Sequence, residues 1–330
     1  MVLLFVFMIS LLRREVEHVQ VVSGVAQGTT YTVKYVGEQA LISKAEVDSI
    51  FAVLDRSLSL YRPGSLINEF NSRGEVTMDI HLKTVVLEAM NCYDASGGAF
   101  DITVGSLADL WGFGTVRHET VPSTRSVRKR LSVTGSKYLS IAGDRLKALK
   151  SGVKIDCNGI AQGYSVDLIA AHLASKGIDR MMVELGGEIR VSGRHPVNEC
   201  WTVGLESPEP LSANWYPVEK LIGVNNESVT TSGDYRKFFT TGGKKYAHVI
   251  DPRNGKPVNN GIISVTVIAR DAIVADAWDN ALFVVGVEKS FDVLKRMPGI
   301  EARIIYRAAG GEIRDTATLG FMKRMIARSD

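Results

Sequence analysis

Little in this sequence could substitute for an ordinary hydrophobic core. Only three cysteines occur in 330 residues, Cys92, Cys157 and Cys200, far apart and with neither CxxC nor zinc-ligand spacing. A disulfide framework is excluded, and one disulfide at most could form. No charge of one sign dominates: 39 Lys and Arg against 36 Asp and Glu leave +3. That balance implies no basic surface large enough to demand nucleic acid, which is not an expected partner. Internal repeats and low-complexity linkers are missing too, which favours one compact body over separate modules.

What is there is ordinary globular composition, with 45% hydrophobic and 23% charged residues. At about 150 residues per domain the length allows two domains or one large one. The longest apolar run, Val2 to Leu12, is broken only by Ser10 and followed by Arg13-Arg14. A bilayer-spanning helix needs about 20 such residues, so the run alone is too short to cross. Its length suits the apolar region of an export signal, although the positive charges sit on the wrong side and no small-residue cleavage site follows. Residues 1–20 are read as an apolar segment, an export signal or anchor, with a strand or helix of the core as the alternative; residues 21–330 form the domain.

Hydrophobic periodicity places the main elements. Tyr31, Val33 and Tyr35 alternate as in a half-buried strand. Ser43 and Glu46 make a capping box, followed by a helix with Val47, Ile50, Phe51, Leu54 and Leu58 on one face. A second helix carries Leu82, Val85, Val86 and Ala89, and a third Val166, Ile169, Ala170 and Leu173. Strands are expected at Met181–Leu185, Glu188–Ser192, Trp201–Glu206, Leu221–Val224 and Ile262–Ile268, with Gly186-Gly187 as a hairpin turn. Helices from about Asp276 to Gly286 and around Phe291–Leu294 precede a final strand, Arg303–Tyr306. This order predicts an α+β fold of mixed, largely antiparallel sheets with inserted helices.

Four groupings carry potential chemistry, each with a plainer reading beside it. Ser96-Gly97-Gly98-Ala99-Phe100-Asp101 lets backbone approach a flat or anionic ligand, or simply ends a helix at glycine. The run Ile155 to Tyr164 enters the third helix through a Gly-bearing turn that suits phosphate, or is an ordinary strand-to-helix connection. Thr231-Ser232-Gly233-Asp234-Tyr235 and His248 to Gly255 form loops between strands, in which His248 has hydroxyl and carboxylate company. An imidazole, with an ordinary pKa near 6.5, is competent for proton transfer near neutrality. Asp276, Asp279 and Asn280 share one helix face at i, i+3 and i+4. Oxygen ligands of that kind favour a hard cation such as magnesium; the plainer reading has Asp276 as an N-cap and Asp279 in the first turn.

Taken in order, Gln27-Gly28-Thr29-Thr30-Tyr31, Tyr61-Arg62-Pro63-Gly64-Ser65, SGGAFD, WGFG at Trp111 to Gly114, GIAQGY, ELGGEIRVSG, TTSGDY, HVIDPRNGKPV and ADAWDNALFVVG resemble one family. It is the FAD:protein FMN transferase (ApbE-like) family, and the resemblance runs from about Gln27 to about Gly286. The resemblance implies an ApbE-like flavin transferase fold and a magnesium-dependent enzyme that splits FAD. FMN would pass to a Thr or Ser hydroxyl of an acceptor protein and AMP would leave. Some relatives transfer FMN to water instead, as FAD pyrophosphatases, and a catalytically weak flavin-binding protein is a more distant alternative. The acceptor is expected to carry a Ser/Thr flavinylation motif in a membrane redox-complex subunit, met on the periplasmic side of a bacterial inner membrane.

By position, the resemblance implies flavin or FAD contacts at Gln27, Tyr61, Ala99, Phe100, Asp101, Asp156, Gln162 and Ile250. It implies magnesium held by the Gly159 carbonyl, Asp276 and Asn280 with Asp279 adjacent, and His248 assisting catalysis. Three positions depart from the family pattern. Gln162 stands where many relatives have Lys, Asn280 where they have Thr, and Asn158 where Gly is common. The first removes a charge that would face phosphate; the second keeps an oxygen able to ligate a hard cation.

Overall fold

The structure is a computed structural model and describes residues 18–207, 217–233 and 238–326. The apolar run expected as an export signal, and Asp234 and Tyr235 of TTSGDY, lie outside the described residues. The first described strands are β1 (Val19–Ala26) and β2 (Thr29–Val36). Their register pairs Ala26 with Thr29 and leaves Gln27-Gly28 as a two-residue turn. Both turn residues are left-handed, φ 50° and 78°, the geometry whose twist matches the flanking strands.

Helices then alternate with small strands: α1 (Lys44–Leu58), α2 (Leu66–Arg73), β3 (Glu75–Thr77), α3 (Ile80–Ser96), α4 (Gly105–Trp111), α5 (Thr124–Leu131), β4 (Leu139–Ala142), β5 (Arg145–Ala148) and α6 (Ala161–Ser175). The capping box of α1 is present in both directions. Next come β6 (Met181–Leu185), β7 (Glu188–Ser192), β8 (Trp201–Glu206), β9 (Val218–Val224), β10 (Ser228–Gly233), β11 (Phe238–Thr241), β12 (Lys244–Ala247), β13 (Ile250–Asp251), β14 (Lys256–Pro257) and β15 (Ile262–Ala269). The chain closes with α7 (Ala272–Val285), α8 (Val287–Leu294), β16 (Glu301–Arg307), β17 (Ile313–Ala317), α9 (Leu319–Met322) and β18 (Met325–Ile326).

An eight-stranded sheet in the order β1-β2-β6-β7-β10-β15-β16-β17 organises the molecule, and each of its pairings is antiparallel. Every residue of β15 is buried because both faces of the sheet are covered. Val265, Val267 and Ala269 pack with Ala275, Trp278 and Leu282 of α7, while Ile268 faces Trp201, Val203 and Ile222 of the small β18-β9-β8 sheet. Tyr31, Val33 and Tyr35 of β2 pack against Val47 and Phe51 of α1 and Val166, Ile169 and Leu173 of α6. Each such side chain contributes about 1.5–3 kcal/mol when fully buried. This is the expected α+β fold, and its main consequence for function is that α6 and α7 lie against each other on the sheet.

Two expectations need correction. Helix α7 starts at Ala272, with Asp271 at the N-cap position, so Asp276 is a full turn inside the helix and caps nothing. The apolar stretch continues from β15 past Arg270-Asp271 into Ile273-Val274, which hides the boundary from periodicity. Arg303–Tyr306 is not the last strand either: β17, α9 and β18 follow it, short or half-exposed elements with little hydrophobic pattern. The three cysteines are all free. Among the described residues no helix is long and apolar enough to cross a membrane.

Candidate active site

A cavity of about 900 Å³ opens where the β1–β2 turn, the end of α3, the entry to α6, helix α7 and the segment after β12 converge. That volume lies toward the upper end of ordinary small-molecule sites. Of the residues singled out above, Gln27, Tyr61, Ala99, Phe100, Asp101, Asp156, Gly159, Gln162, His248, Ile250, Asp276 and Asn280 all line it, and Asp279 does not.

One wall is made of turns. Gln27 projects from the hairpin tip, where its side-chain amide donates to Ser165 Oγ of α6 at 2.9 Å. Tyr61 stands 66% exposed at the rim. Its loop is held by the Asn68 amide, which donates to the carbonyls of Leu60 and Arg62 at 3.0 and 2.9 Å. Gly97 ends α3 with φ 65°, and Gly98 follows at φ 77°, so SGGAFD is a helix stop and a cavity wall at once. Asp101 behaves differently from its neighbours. Its carboxylate accepts from Thr103 N and Oγ1 at 2.8 and 2.7 Å, and from Ser136 N and Oγ at 3.0 and 2.8 Å. Three of these donors reach Oδ1 and one reaches Oδ2, so Asp101 ties this wall to the β4 side of the molecule while still lining the cavity with Ala99 and Phe100. Burial raises the Asp101 pKa above the usual carboxylate range.

The opposite wall carries His248, half-buried in the bend between β12 and β13. The turn that follows is locked. Asp251 accepts from Arg253 N, Nε and Nη2 and from Asn254 Nδ2, all at 2.9–3.0 Å. Trp111 Nε1 of the WGFG segment donates to Gly255 O at 2.9 Å. A Cβ at Gly255 would come within 3.0 Å of Val127 and 3.1 Å of Leu107, so α4 and α5 press directly on this turn.

The floor is where α6 meets α7. A Cβ on Gly163 would lie 2.3 Å from the Ala272 carbonyl oxygen and 2.7 Å from Asp276 Cβ, so only glycine permits this approach. Gly163 N–H then donates to Asp276 Oδ2 at 2.9 Å. Asp167, one turn further along α6, accepts from Ala272 N and Ile273 N at 3.0 and 2.9 Å and thereby caps α7, whose own Asp271 makes no side-chain cap bond. Burial lifts Asp167 to about 6, against the lowering effect of those two N–H groups and Arg190. No local motif announces this role, because it depends on a tertiary crossing.

At that floor, Asn280 Nδ2 donates to Gly159 O at 3.3 Å, Asp276 O at 3.0 Å and Asp279 Oδ1 at 3.0 Å, and Asn280 Oδ1 accepts from Ser232 Oγ at 3.0 Å. Asp276 and Asp279 are 4% and 1% exposed. Burial raises both their pKa values, and for Asp279 the neighbouring Asp276 charge adds to it. This is an oxygen-rich pocket with an amide N–H₂ placed among its carbonyls and carboxyl groups. Half a turn of the Asn280 amide would replace that N–H₂ by its oxygen. The donors then offered, Gly159 O, Asp276 and Asn280 Oδ1, are all hard oxygens and suit magnesium. Among the described residues no three His, Cys, Asp or Glu side chains cluster as a metal site, and the fit rests on this mixed set of carboxylate, carbonyl and amide. Asp279 lies behind the set, outside the cavity lining.

The ApbE family model matches residues 27–304. The chain belongs to the ApbE family. It is 35% identical over 279 residues to the FAD:protein FMN transferase of Vibrio cholerae serotype O1, covering 82% of this chain and 83% of that one. Identity to the FAD:protein FMN transferase of Haemophilus influenzae is 33% over 288 residues, covering 83% of each chain. Among solved structures, the flavin transferase ApbE of Vibrio cholerae superposes with a TM-score of 0.83 at 31% identity, over 93% of this chain and 99% of that one. The apo flavinyl transferase ApbE of Pseudomonas stutzeri gives 0.84 at 34%, over 95% and 98%. The family match spans every cavity-lining residue except Ile305, and it includes Asn158, Gln162 and Asn280. Asn158 is exposed and its N–H donates to Asp156 Oδ1 at 2.8 Å, so a side chain is accommodated there without distorting the turn.

Proposed function

We propose that this ApbE-family chain transfers FMN from FAD to a Ser or Thr hydroxyl of an acceptor protein, with magnesium, releasing AMP. The observation that carries the reading is the meeting of the Gly159 carbonyl, Asp276 and Asn280 at the floor of a cavity whose wall holds His248. Magnesium held by those oxygens would neutralise pyrophosphate charge, which is most of what phosphoryl transfer asks of a protein. Tyr61, Phe100 and Ile250 supply apolar surface for the flavin. The acceptor oxygen attacks the phosphorus of the FMN half, and the bridging bond to the AMP phosphate breaks. A phosphoester forms, and the hydroxyl proton passes to His248. Neutral Gln162 adds no charge toward phosphate, so the Asp276 site carries more of the neutralisation here than in Lys-bearing relatives. The apolar run at residues 2–12 supports a site of action on the periplasmic side of the inner membrane, with a membrane redox-complex subunit as acceptor.

The test is AMP release from FAD against magnesium concentration. Asp276→Asn should abolish it at ordinary metal levels, with partial rescue by high magnesium or by manganese, and Asp279→Asn should do less. An Asp276→Asn variant with wild-type metal dependence would remove the metal from this floor.

A further inference from the structure

The small net charge conceals a strong asymmetry. Residues 115–154 contain ten Lys and Arg against two acids, Glu119 and Asp144, so that this stretch carries +8 and the rest of the chain −5. Arg125, Arg128, Lys129 and Arg130 of α5 are all exposed, as are Lys137, Lys147 and Lys150. The end of α5, Lys150 and Lys137 adjoin one another, while Arg145 and Lys154 pair with Glu75 and Asp109. Lys150 Nζ donates at 2.6 Å to the carbonyl of Ser132, which ends α5. Lys150 and Lys137 both lie over the Tyr138 ring, at 5.0 and 5.2 Å from its centre. Among the described residues no carboxylate lies within ion-pair distance of Arg125, Arg128, Lys129 or Arg130. A favourable interaction with the α5 dipole acts over the last turn only; it leaves Arg125, Lys137 and Lys147 unexplained.

The place of this patch selects its partner. Val127 and Leu131 of α5 pack on Gly255, in the turn that follows His248. Arg130 and Ser126 share a hollow of about 320 Å³ with His118, and Arg117, His118 and Glu119 line the mouth of the main cavity. Exposed apolar side chains, Val116 at 72% and Val121 at 43%, lie along the same rim segment. The patch therefore adjoins part of the rim that faces a macromolecule delivering a hydroxyl to the cavity.

We propose that the α5 lobe is the docking surface for the acceptor protein, and that it recognises an acidic face on that protein beside the modified Ser or Thr. The inference rests on the transferase reading given above. Like-charge exclusion and steering at a rim act over about a Debye length, 8–10 Å, and show themselves in association rate and salt dependence.

The experiment compares wild type with Arg128→Glu/Lys129→Glu/Arg130→Glu and with the charge-keeping Arg128→Lys/Arg130→Lys. Two probes are used: a recombinant acceptor domain of net negative charge carrying the Ser/Thr motif, and a short neutral peptide with the same motif. For the reversal variant, kcat/KM toward the domain should fall at least tenfold at low salt and lose its salt dependence. Its kcat at saturation, FAD affinity and reaction with the peptide should stay within twofold, and the charge-keeping variant should resemble wild type throughout. Direct binding of the acidic domain, followed by anisotropy, separates the two readings. Wild type that binds the domain in a patch-dependent way but transfers nothing would sink the transferase reading and keep the surface. Unchanged domain kinetics and binding in the reversal variant would overturn the surface. So would a parallel loss of FAD affinity, which would make the patch a steering field for FAD. Loss of co-sedimentation with anionic phosphatidylglycerol vesicles, with domain kinetics unchanged, would reassign it to a membrane and overturn it as well.

Discussion

Gly163→Ala asks whether the α6–α7 crossing builds the site. In an isolated helix the change should stabilise by about 1 kcal/mol, since glycine is the poorer helix former. Here the new methyl would sit 2.3 Å from a backbone oxygen and 2.7 Å from Asp276 Cβ, where ordinary contact begins at 3.4 Å. Neither atom belongs to a flexible side-chain end, so the helices must move apart. Overpacking of this kind costs about 1–3 kcal/mol. Separation also strains the 2.9 Å bond from Gly163 N–H to Asp276 Oδ2, and a hydrogen bond to a charged group is worth about 1.5–3 kcal/mol. Set against the propensity gain, the expected net loss is about 1.5–5 kcal/mol. Urea unfolding should show a lower midpoint with the same slope. The magnesium concentration for half-maximal AMP release should rise at least tenfold, because Asp276 is displaced from Gly159 and Asn280. A variant as stable as wild type or more so, with unchanged metal dependence, would refute the claim that this contact sets the floor of the cavity.

Tyr61→Ala should weaken FAD binding several-fold and leave the fold intact, since stacking an aromatic ring contributes about 0.5–1.5 kcal/mol beyond burial; unchanged affinity in a fluorescence titration would take the ring out of the site. His248→Ala should lower the transfer rate by about two to four orders of magnitude with FAD affinity preserved, and near wild-type turnover would make the histidine structural. Asp167 gives a pH signature. Its folded pKa of about 6 lies above the ordinary 3.8, so the proton is held more tightly in the folded state. The stability of wild type relative to Asp167→Asn should therefore be greatest below about pH 4 and fall by about 2–3 kcal/mol as pH rises through 6. Parallel pH profiles for the two proteins would contradict that assignment.

How far the sequence could be read depended on where each signal lay. The strands β6, β7 and β8 match their expected bounds residue for residue, because alternation and the Gly186-Gly187 turn are local. Helix α5 went unseen because TRSVRKRL buries only Val127, which leaves no apolar stripe to detect. The sheet order, in which β10 sits between β7 and β15, is a long-range pairing that no window contains. The site was largely legible because its motifs are contiguous strings at turns and helix entries. Asp276 and Asn280, at i and i+4, share a face and both reach the cavity; Asp279 is rotated away from Asn280 by about 100° and is buried behind it. The Asp167 cap and the need for glycine at 163 arise only when two helices touch, so composition and spacing could not disclose them.

The central claim is that FMN ends up covalently on a protein hydroxyl. The direct measurement is the intact mass of an acceptor domain bearing the Ser/Thr motif after incubation with this protein, FAD and magnesium. Peptide mapping then locates the added group, and AMP is assayed in the same tube. The account predicts one FMN per acceptor on the Ser or Thr, matched by AMP, and neither product when magnesium is omitted. Unmodified acceptor with free FMN and AMP would identify an FAD pyrophosphatase, and intact FAD with unmodified acceptor would contradict the enzymatic reading altogether.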